Sequence, residues 1–264
     1  MPEGDTIHRT AGRLRPALEG ATLERFEAPR LVGDRPRPGE TIDVVEAVGK
    51  HLLMRFSGGL VLDTHMRMTG SWHLYRAGER WRKPPNLARV TITVAGWVAV
   101  CFSAPVVRIR HERTPGPSHV AHLGPDLCTP EPDLDAAVAR MAQLHDPTDE
   151  IADVLLDQRV AAGIGNVYKS EVLWARRVSP FAPLVSLDDD LRRVLVDTAH
   201  RLLRANLGSG ARETVPGGLG VYGRARQPCR RCGTPIRMRR QGPQVRSTYW
   251  CPRCQPDPGD GPGA

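Results

Sequence analysis

No stretch of this 264-residue chain approaches the roughly 18 consecutive apolar residues of a membrane helix, so no spanning segment is expected. The N-terminus lacks the basic-then-apolar pattern of a secretory signal, which predicts a cytoplasmic protein, nucleoid-associated if bacterial. Acidic side chains are in deficit. The 29 Asp and Glu face 37 Lys and Arg, leaving a formal charge of +8 and a pI near 9.6. The excess is mostly arginine, whose planar guanidinium suits bidentate phosphate contacts, and it points to an anionic partner, nucleic acid first; arginine-rich codon usage is the competing source. Cysteine is scarce as well. Of six, Cys101 and Cys128 stand alone and read as buried, inert thiols. The other four form two C-x-x-C pairs, which in a reducing compartment favour a metal over disulfides.

With 40% hydrophobic residues, the chain can fill one large or two modest domains. Residues 5–18 read as a helix, with Ile7, Ala11, Leu14 and Leu18 at helical spacing, Asp5 or Thr6 as its cap and Pro16 weakening its last turn. From about 21 to 110 the chain reads as short strands: 44–48, 51–56, 60–64, 89–94 and 97–102, punctuated by Gly58-Gly59 and Ala95-Gly96. Such spacing predicts a β-sandwich or barrel. The proline- and glycine-rich stretches 30–39 and 76–86 read as loops, and the proline-rich 111–133 as a domain linker. Helices follow over 134–144, 149–160, 167–176 and 188–207, then a small metal-nucleated hairpin over 229–254 and a disordered tail.

Three stretches carry chemistry. In the first, Met1-Pro2-Glu3, the initiator methionine is normally removed because the second side chain is small. Pro2 is then a secondary amine at the N-terminus, and an α-amino group titrates near ~7.7–8.0, so part of it is nucleophilic at neutral pH. Attack on an aldehyde-like carbon gives an iminium ion, with Glu3 in reach as general acid/base. Ordinary N-terminal processing is the plain alternative. In the second, Cys229 and Cys232 are followed, after 18 residues, by Cys251 and Cys254. Four thiolates at that spacing suit one structural Zn²⁺ with no open position, and the arginine-bearing hairpin between them is a tool for gripping a groove or phosphates. In the third, Ala161–Asn166, two glycines join helical segments and Asn166 stands as an N-cap. That makes either a phosphate clamp or an ordinary helical hairpin. A lesser candidate is Lys50, after Gly49 at a strand start, as a point charge for phosphate.

Together these stretches resemble the formamidopyrimidine-DNA glycosylase/endonuclease VIII family. The matching segments are Met1-Pro2-Glu3-Gly4, Val48-Gly49-Lys50-His51-Leu52-Leu53, His122-Leu123-Gly124-Pro125-Asp126, Leu155-Leu156-Asp157-Gln158, Gly163-Ile164-Gly165-Asn166 with the following Val167–Glu171, and Arg246–Gln255. The resemblance implies an α+β, multidomain fold. An N-terminal β-sandwich with its N-terminal helix (residues 1–127) precedes a helix–two-turns–helix domain (128–222), a zinc-ribbon finger (223–256) and a tail (257–264), with DNA in the cleft between domains. It implies a monomeric, bifunctional glycosylase and abasic-site lyase acting on damaged double-stranded DNA. Pro2 is then the Schiff-base nucleophile, Glu3 the general acid/base, Lys50 the assistant in β-elimination and Arg246 the finger arginine linked to δ-elimination. Asn166 is a phosphate ligand, and Arg67 and His122 fall at DNA-contacting positions. Two departures stand out. Thr6 occupies a position often held by Glu. The segment Ser103–Arg110 lacks the Asp-Pro-Arg-Arg-Phe-Gly stretch of purine-specific members, which favours oxidised pyrimidines and leaves Met68 as the apolar wedge. The alternatives are a non-catalytic zinc-ribbon protein that binds damaged DNA and a purine-lesion glycosylase of the same family.

Overall fold

A computed structural model describes residues 2–114, 118–208 and 210–257. The chain divides into two compact units, Met1–His122 and Leu123–Ala264.

The first unit opens with helix α1 (Gly4–Leu18) and continues with strands β1 (Leu23–Glu27), β2 (Ile42–Val48), β3 (His51–Phe56), β4 (Leu60–His65), β5 (Ser71–Arg76), β6 (Ala88–Val94), β7 (Trp97–Phe102) and β8 (Val106–His111). They form two antiparallel four-stranded sheets, ordered β1-β6-β7-β5 and β2-β3-β4-β8. Alternation explains the sandwich. Leu52 and Met54 of β3 pair in register with Thr64 and Leu62 of β4, Phe56 pairs with Ile42 of β2, and all three β3 residues face inward. They meet Val90, Ile92, Ala99 and Cys101 of the other sheet and Ile7, Ala11, Leu14 and Leu18 of α1 in one core. Burial pushes the Cys101 thiol up to about 12, in keeping with the inert role expected of it.

Three strands exceed those expected from sequence. β1, β5 and β8 carry charged or polar residues at alternate positions, and their inward faces are short. The cap of α1 is also different. It is Glu3, not Asp5 or Thr6, and its main-chain carbonyl accepts from the amides of Thr6 and Ile7. Pro16 does not end the helix, which runs on to Leu18.

Helix α1 lies against β2, the edge strand of its sheet. Gly20 donates to the carbonyl of Ile42, Arg15 Nε donates to the carbonyl of Val45 (2.7 Å), and the amide of Val45 donates to Glu19 Oε2 (3.0 Å). The helix therefore runs antiparallel to β2. Its 15 residues rise about 22 Å and the 7 of β2 about 23 Å, so the N-terminus of α1 reaches the Val48 end of the strand.

The second unit contains α2 (Leu134–Leu144), α3 (Ile151–Val154), α4 (Asn166–Ala175), α5 (Asp189–Ala205) and the hairpin β9 (Arg237–Gln241)–β10 (Arg246–Trp250). Asp133 and Asp188 cap α2 and α5, each carboxylate accepting from a main-chain amide at 2.8 Å. The helix expected over 149–160 is a single turn, α3. Beyond it the chain continues in main-chain turns, the amide of Asp157 donating to Val154 and that of Val160 to Asp157. The division between the two units falls within the expected linker 111–133, whose first residue, His111, still belongs to β8 and whose Leu127 and Cys128 are already buried in the helical core. Of the expected disordered tail, Asp257 accepts from Ser179 Oγ, and 258–264 lie outside the described residues. Among the described residues no helix is long and apolar enough to cross a membrane.

Candidate functional site

In the first unit, one end of the sandwich gathers most of the candidates. β2 and β3 are joined by the two-residue turn Gly49-Lys50, closed by the Val48–His51 pair. Gly49 has φ +57°, the positive value that the first central position of a type II′ hairpin turn requires. Lys50 thus sits on the hairpin tip rather than inside a strand. His51 pairs with His65 of β4, and His65 with Val106 of β8, so the loop 66–70 and the turn 103–105 emerge at the same end. Thr69 Oγ1 bonds the carbonyl of Ser103 (2.9 Å), tying loop to turn. By its antiparallel run along β2, α1 brings Pro2 and Glu3 to this end too. Glu3 is fully buried (0% exposed), and Pro2, one residue ahead of it, is half-buried.

The loop 66–70 is built tightly. A Cβ on Gly70 would stand 2.7 Å from the main chain of Met66, so only glycine fits there. Arg67 holds φ +43° and Ser103 φ +50°, a left-handed geometry costly for side-chain-bearing residues and most often kept where a site depends on it. The result holds Met66 in the core and presents Arg67 and Met68 to solvent, Met68 being 65% exposed. His122 is exposed in a turn at the close of the first unit.

Beside Lys50 lies a cluster that the sequence did not single out. His51 Nδ1 hydrogen-bonds Asp63 Oδ1 at 2.8 Å, and the His51 ring meets His65 edge-on at 4.8 Å. Burial, reinforced by the neighbouring His51 and Lys50, lowers the His65 pKa to about 4, so His65 is neutral at physiological pH. Asp63 is the readable clue: a carboxylate in the middle of the apolar strand LVLDTH, 2% exposed.

In the second unit, Gln158 shapes the turn ahead of α4. Its Nε2 donates to the carbonyls of Leu156 (2.8 Å) and Ile164 (2.9 Å), and its Oε1 accepts from the amide of Gly163 (3.1 Å). The N-cap of α4 is Gly165, and Asn166 is the first helical residue. The Asn166 side chain is buried and donates to the carbonyl (2.7 Å) and hydroxyl (3.2 Å) of Ser247 on β10. One turn on, the buried Lys169 donates to Thr248 Oγ1 (2.8 Å), and the amide of Tyr249 donates to Ser170 Oγ (3.5 Å). The hairpin therefore docks along α4, with Arg246 next to the helix N-terminus. Its guanidinium is held by Gln244 Oε1 at 2.9 and 3.2 Å. Lys169 and Glu171 were legible only as charged residues on an otherwise apolar helix face.

The four cysteines meet. Their sulfurs lie within 4.8 Å of one another, with Cys232–Cys251 at 3.4 Å and Cys232–Cys254 at 3.5 Å. A tetrahedral Zn²⁺ with bonds near 2.3 Å separates its sulfurs by about 3.8 Å, so the cage fits one zinc ion. Donors surround the sulfurs, as thiolates require: Trp174 Nε1 and the amide of Arg231 donate to Cys229, and the amide of Cys254 to Cys251. Hydrogen bonds from Thr234 pull the Cys232 thiol down to about 6. Four protein ligands leave no open position, so such an ion would hold the finger together and do no chemistry.

Three family profiles match the chain: the formamidopyrimidine-DNA glycosylase N-terminal domain over residues 1–114, its H2TH domain over 123–215, and the zinc finger found in FPG and IleRS over 226–256. A probable endonuclease 8 2 of Streptomyces coelicolor is 42% identical, covering 100% of this chain and 97% of its own. The DNA-(apurinic or apyrimidinic site) lyase Nei2 of Mycolicibacterium smegmatis is 38% identical, over 97% of this chain and 99% of its own. Among solved structures, the MutM (FPG) protein of Thermus thermophilus is 28% identical with a TM-score of 0.78, covering 99% of this chain and 100% of that one. The Lactococcus lactis enzyme bound to abasic-site DNA reaches a TM-score of 0.82 at 23% identity, over 97% of this chain and 100% of that one, and it speaks to the fold. Profiles, relatives and fold agree: the chain belongs to the formamidopyrimidine-DNA glycosylase/endonuclease VIII family.

Proposed function

We propose that this protein is a bifunctional DNA glycosylase and abasic-site lyase of base-excision repair that removes oxidised pyrimidines. The observation that carries this reading is the convergence of α1's N-terminus, the Lys50 hairpin tip and the Arg67–Met68 loop at one end of the sandwich. The relatives named endonuclease 8 and Nei2 lyase support it. The damaged nucleotide must leave the stack before its sugar can be reached, and the exposed Met68 is the apolar side chain offered to the gap. With Met1 removed, the Pro2 nitrogen attacks C1′ and the C1′–base bond breaks, Glu3 protonating the sugar ring oxygen as the ring opens. The resulting iminium acidifies C2′. Loss of that proton, with Lys50 assisting, expels the 3′ phosphate. A second proton loss, at C4′, expels the 5′ phosphate with Arg246 gripping it, and water then releases Pro2 from the sugar aldehyde.

Arg67 and His122 contact DNA on this reading. Asn166 would reach a phosphate by exchanging Ser247 for it, alongside the first-turn amides of α4. The arginine excess supplies salt-dependent affinity for the duplex. Such an enzyme works where the chromosome lies, in the cytoplasm, at the nucleoid if the source is bacterial.

Borohydride trapping tests the reading directly, with the mature N-terminus checked by mass spectrometry. A covalent adduct is expected on abasic-site DNA and on duplexes carrying thymine glycol or 5-hydroxyuracil, and it should vanish in Pro2→Gly. Binding without any adduct, with Met1 gone, would make the protein a damage-binding module. Faster processing of 8-oxoguanine opposite cytosine would move it to the purine branch.

A further inference from the structure

We infer that Lys83, Arg82 and Arg13 form a phosphate-binding strip along the free edge of β5, which holds the backbone of the DNA flanking the lesion. This inference rests on the DNA-repair reading above and extends its contact surface. β5 is the last strand of its sheet, so one of its edges has no partner strand. It begins at Ser71, directly after the loop 66–70 that presents Arg67 and Met68. Lys83 Nζ donates to Ser71 Oγ at 2.8 Å, which places the ammonium at that end of the strand. Farther along, α1 meets β5 across a cavity of about 350 Å³, lined by Thr10, Arg13 and Leu14 of the helix, residues 72–75 of the strand, and Arg82. Side chains from both faces of a strand line one cavity only at an edge, and β7 fills the other edge. The strip therefore starts beside the proposed site and leads away from it.

The charges are held in place and uncompensated. Trp81 packs with Tyr75 (ring centroids 6.3 Å) and Phe102 (5.7 Å) in a cluster separate from the main core, and this anchors the loop that carries Arg82 and Lys83. The amide of Arg82 donates to the Tyr75 hydroxyl at 3.1 Å. From Lys83 the bonds run on, Ser71 Oγ to His73 Nε2 at 3.1 Å and His73 Nδ1 to the Tyr75 hydroxyl at 2.9 Å. That chain is satisfied with His73 neutral and its proton on Nδ1. Burial first, then the charges of Lys83 and Arg82, hold the His73 pKa below its ordinary value, so the ring stays neutral and no acid enters the chain. Among the described residues no carboxylate stands within ion-pair distance of Arg13, Arg82 or Lys83, whereas Arg9, Arg15, Arg25 and Arg55 of the same unit are each paired with one. Arg13 and Arg82 are exposed, and the half-buried Lys83 spends one of its three donors on Ser71. Three cations gathered without an acid repel one another, and a polyanion laid along them relieves that repulsion while releasing its own counterions.

The test is the salt dependence of binding, read by fluorescence anisotropy with zinc-loaded, full-length protein. The probes are a duplex with a central tetrahydrofuran abasic analogue and two duplexes cut back close to the lesion, one on each side. The strip variant is Arg13→Gln/Arg82→Gln/Lys83→Gln. A control, Arg25→Gln/Arg30→Gln/Arg37→Gln, removes the same charge elsewhere on the unit, and melting curves check that both fold. Should the loss of Lys83 prevent folding, Arg13→Gln/Arg82→Gln, confined to exposed positions, carries the test. The slope of log affinity against log salt should become shallower by about 2–3 in the triple strip variant, or about 2 in the double, and by less than about 1 in the control. On one of the two cut-back duplexes the difference between strip variant and wild type should vanish. An unchanged slope in the strip variant, beside salt-dependent wild-type binding, would overturn the strip and leave the DNA-repair reading intact. An equal fall in the control would reduce the effect to net charge, and an equal loss on both cut-back duplexes would remove the flanking assignment; either outcome overturns the inference. Wild-type protein that binds none of the three duplexes would refute the DNA-repair reading and the inference with it.

Discussion

Glu171 invites a stringent perturbation. It is fully buried (0% exposed) on α4 and accepts four hydrogen bonds: from the amides of Gly220 (2.7 Å), Val221 (2.9 Å) and Tyr222 (2.7 Å) and from the hydroxyl of Thr214. The carboxylate thereby pins the segment that leads into the zinc finger against the helix that carries Asn166. The fit is close, for a Cβ on Gly220 would stand 2.5 Å from the Trp174 ring. Glu171→Gln keeps the shape and replaces one acceptor oxygen with an amide NH₂. Two of the four donors then face a donor. Hydrogen bonds to a charged group are worth about 1.5–3 kcal/mol each, and an unmet buried N–H costs about as much, so the substitution should destabilise the second unit by about 4 kcal/mol. For a unit of this size that is a fall of roughly 8–16 °C in its melting transition. Urea unfolding of the zinc-loaded protein, followed by tryptophan fluorescence for Trp174 and Trp250, reads the change as a lowered midpoint with the slope retained. A shift below about 1 kcal/mol would show that the four bonds exchange freely with water and that the carboxylate is not the clamp.

Two other outcomes follow. His65, held near 4 against an ordinary 6.5, binds fewer protons when folded than when unfolded, so the stability it supplies is complete above about pH 6.5 and lost as the pH falls to about 4. The ceiling is about 3.4 kcal/mol, and partial exposure reduces it to about 2. His65→Gln should flatten the stability profile across that window by this amount, and an unchanged profile would refute the assignment. Chelation should expose Cys229, Cys232, Cys251 and Cys254 to a thiol reagent while Cys101 stays silent, and should weaken DNA binding as Arg246 loses its support, without removing the Pro2 amine. Zinc-free protein with full affinity would contradict that role for the finger.

Much of the fold was readable where one local signal decides the outcome. The helices over 134–144 and 188–207 are legible from their own composition, close to the α2 and α5 that form, and the paired cysteines announce the finger because four sulfurs need little else. The failures share a cause. α3 stops after one turn and gives way to separate main-chain turns, with Gln158 bridging forward to Gly163 and Ile164, contacts invisible to periodicity. β1, β5 and β8 form because a neighbour supplies the pairing that their own apolar content does not demand. The candidate residues Pro2, Lys50 and Met68 are recognisable one by one in the sequence. Their company is not, because His51, Asp63 and His65 come together only once the register of β3 on β4 is known.

The match in length between α1 and β2 makes the helix a gauge. Glu3 is buried at one end and Leu18 at the other, so both ends are fixed points. Inserting one residue between them would advance the first residues by about 1.5 Å and swing them by about 100° around the helix axis, turning Glu3 out of its burial and Pro2 away from Lys50. Inserting a full turn would restore the facing but overshoot by about 5.4 Å. Replacements at exposed positions such as Gly12 or Arg13 have no such effect. The first eighteen residues are therefore constrained in number more tightly than in kind, and an insertion there would disable the site while leaving every side chain proposed for the chemistry in the sequence.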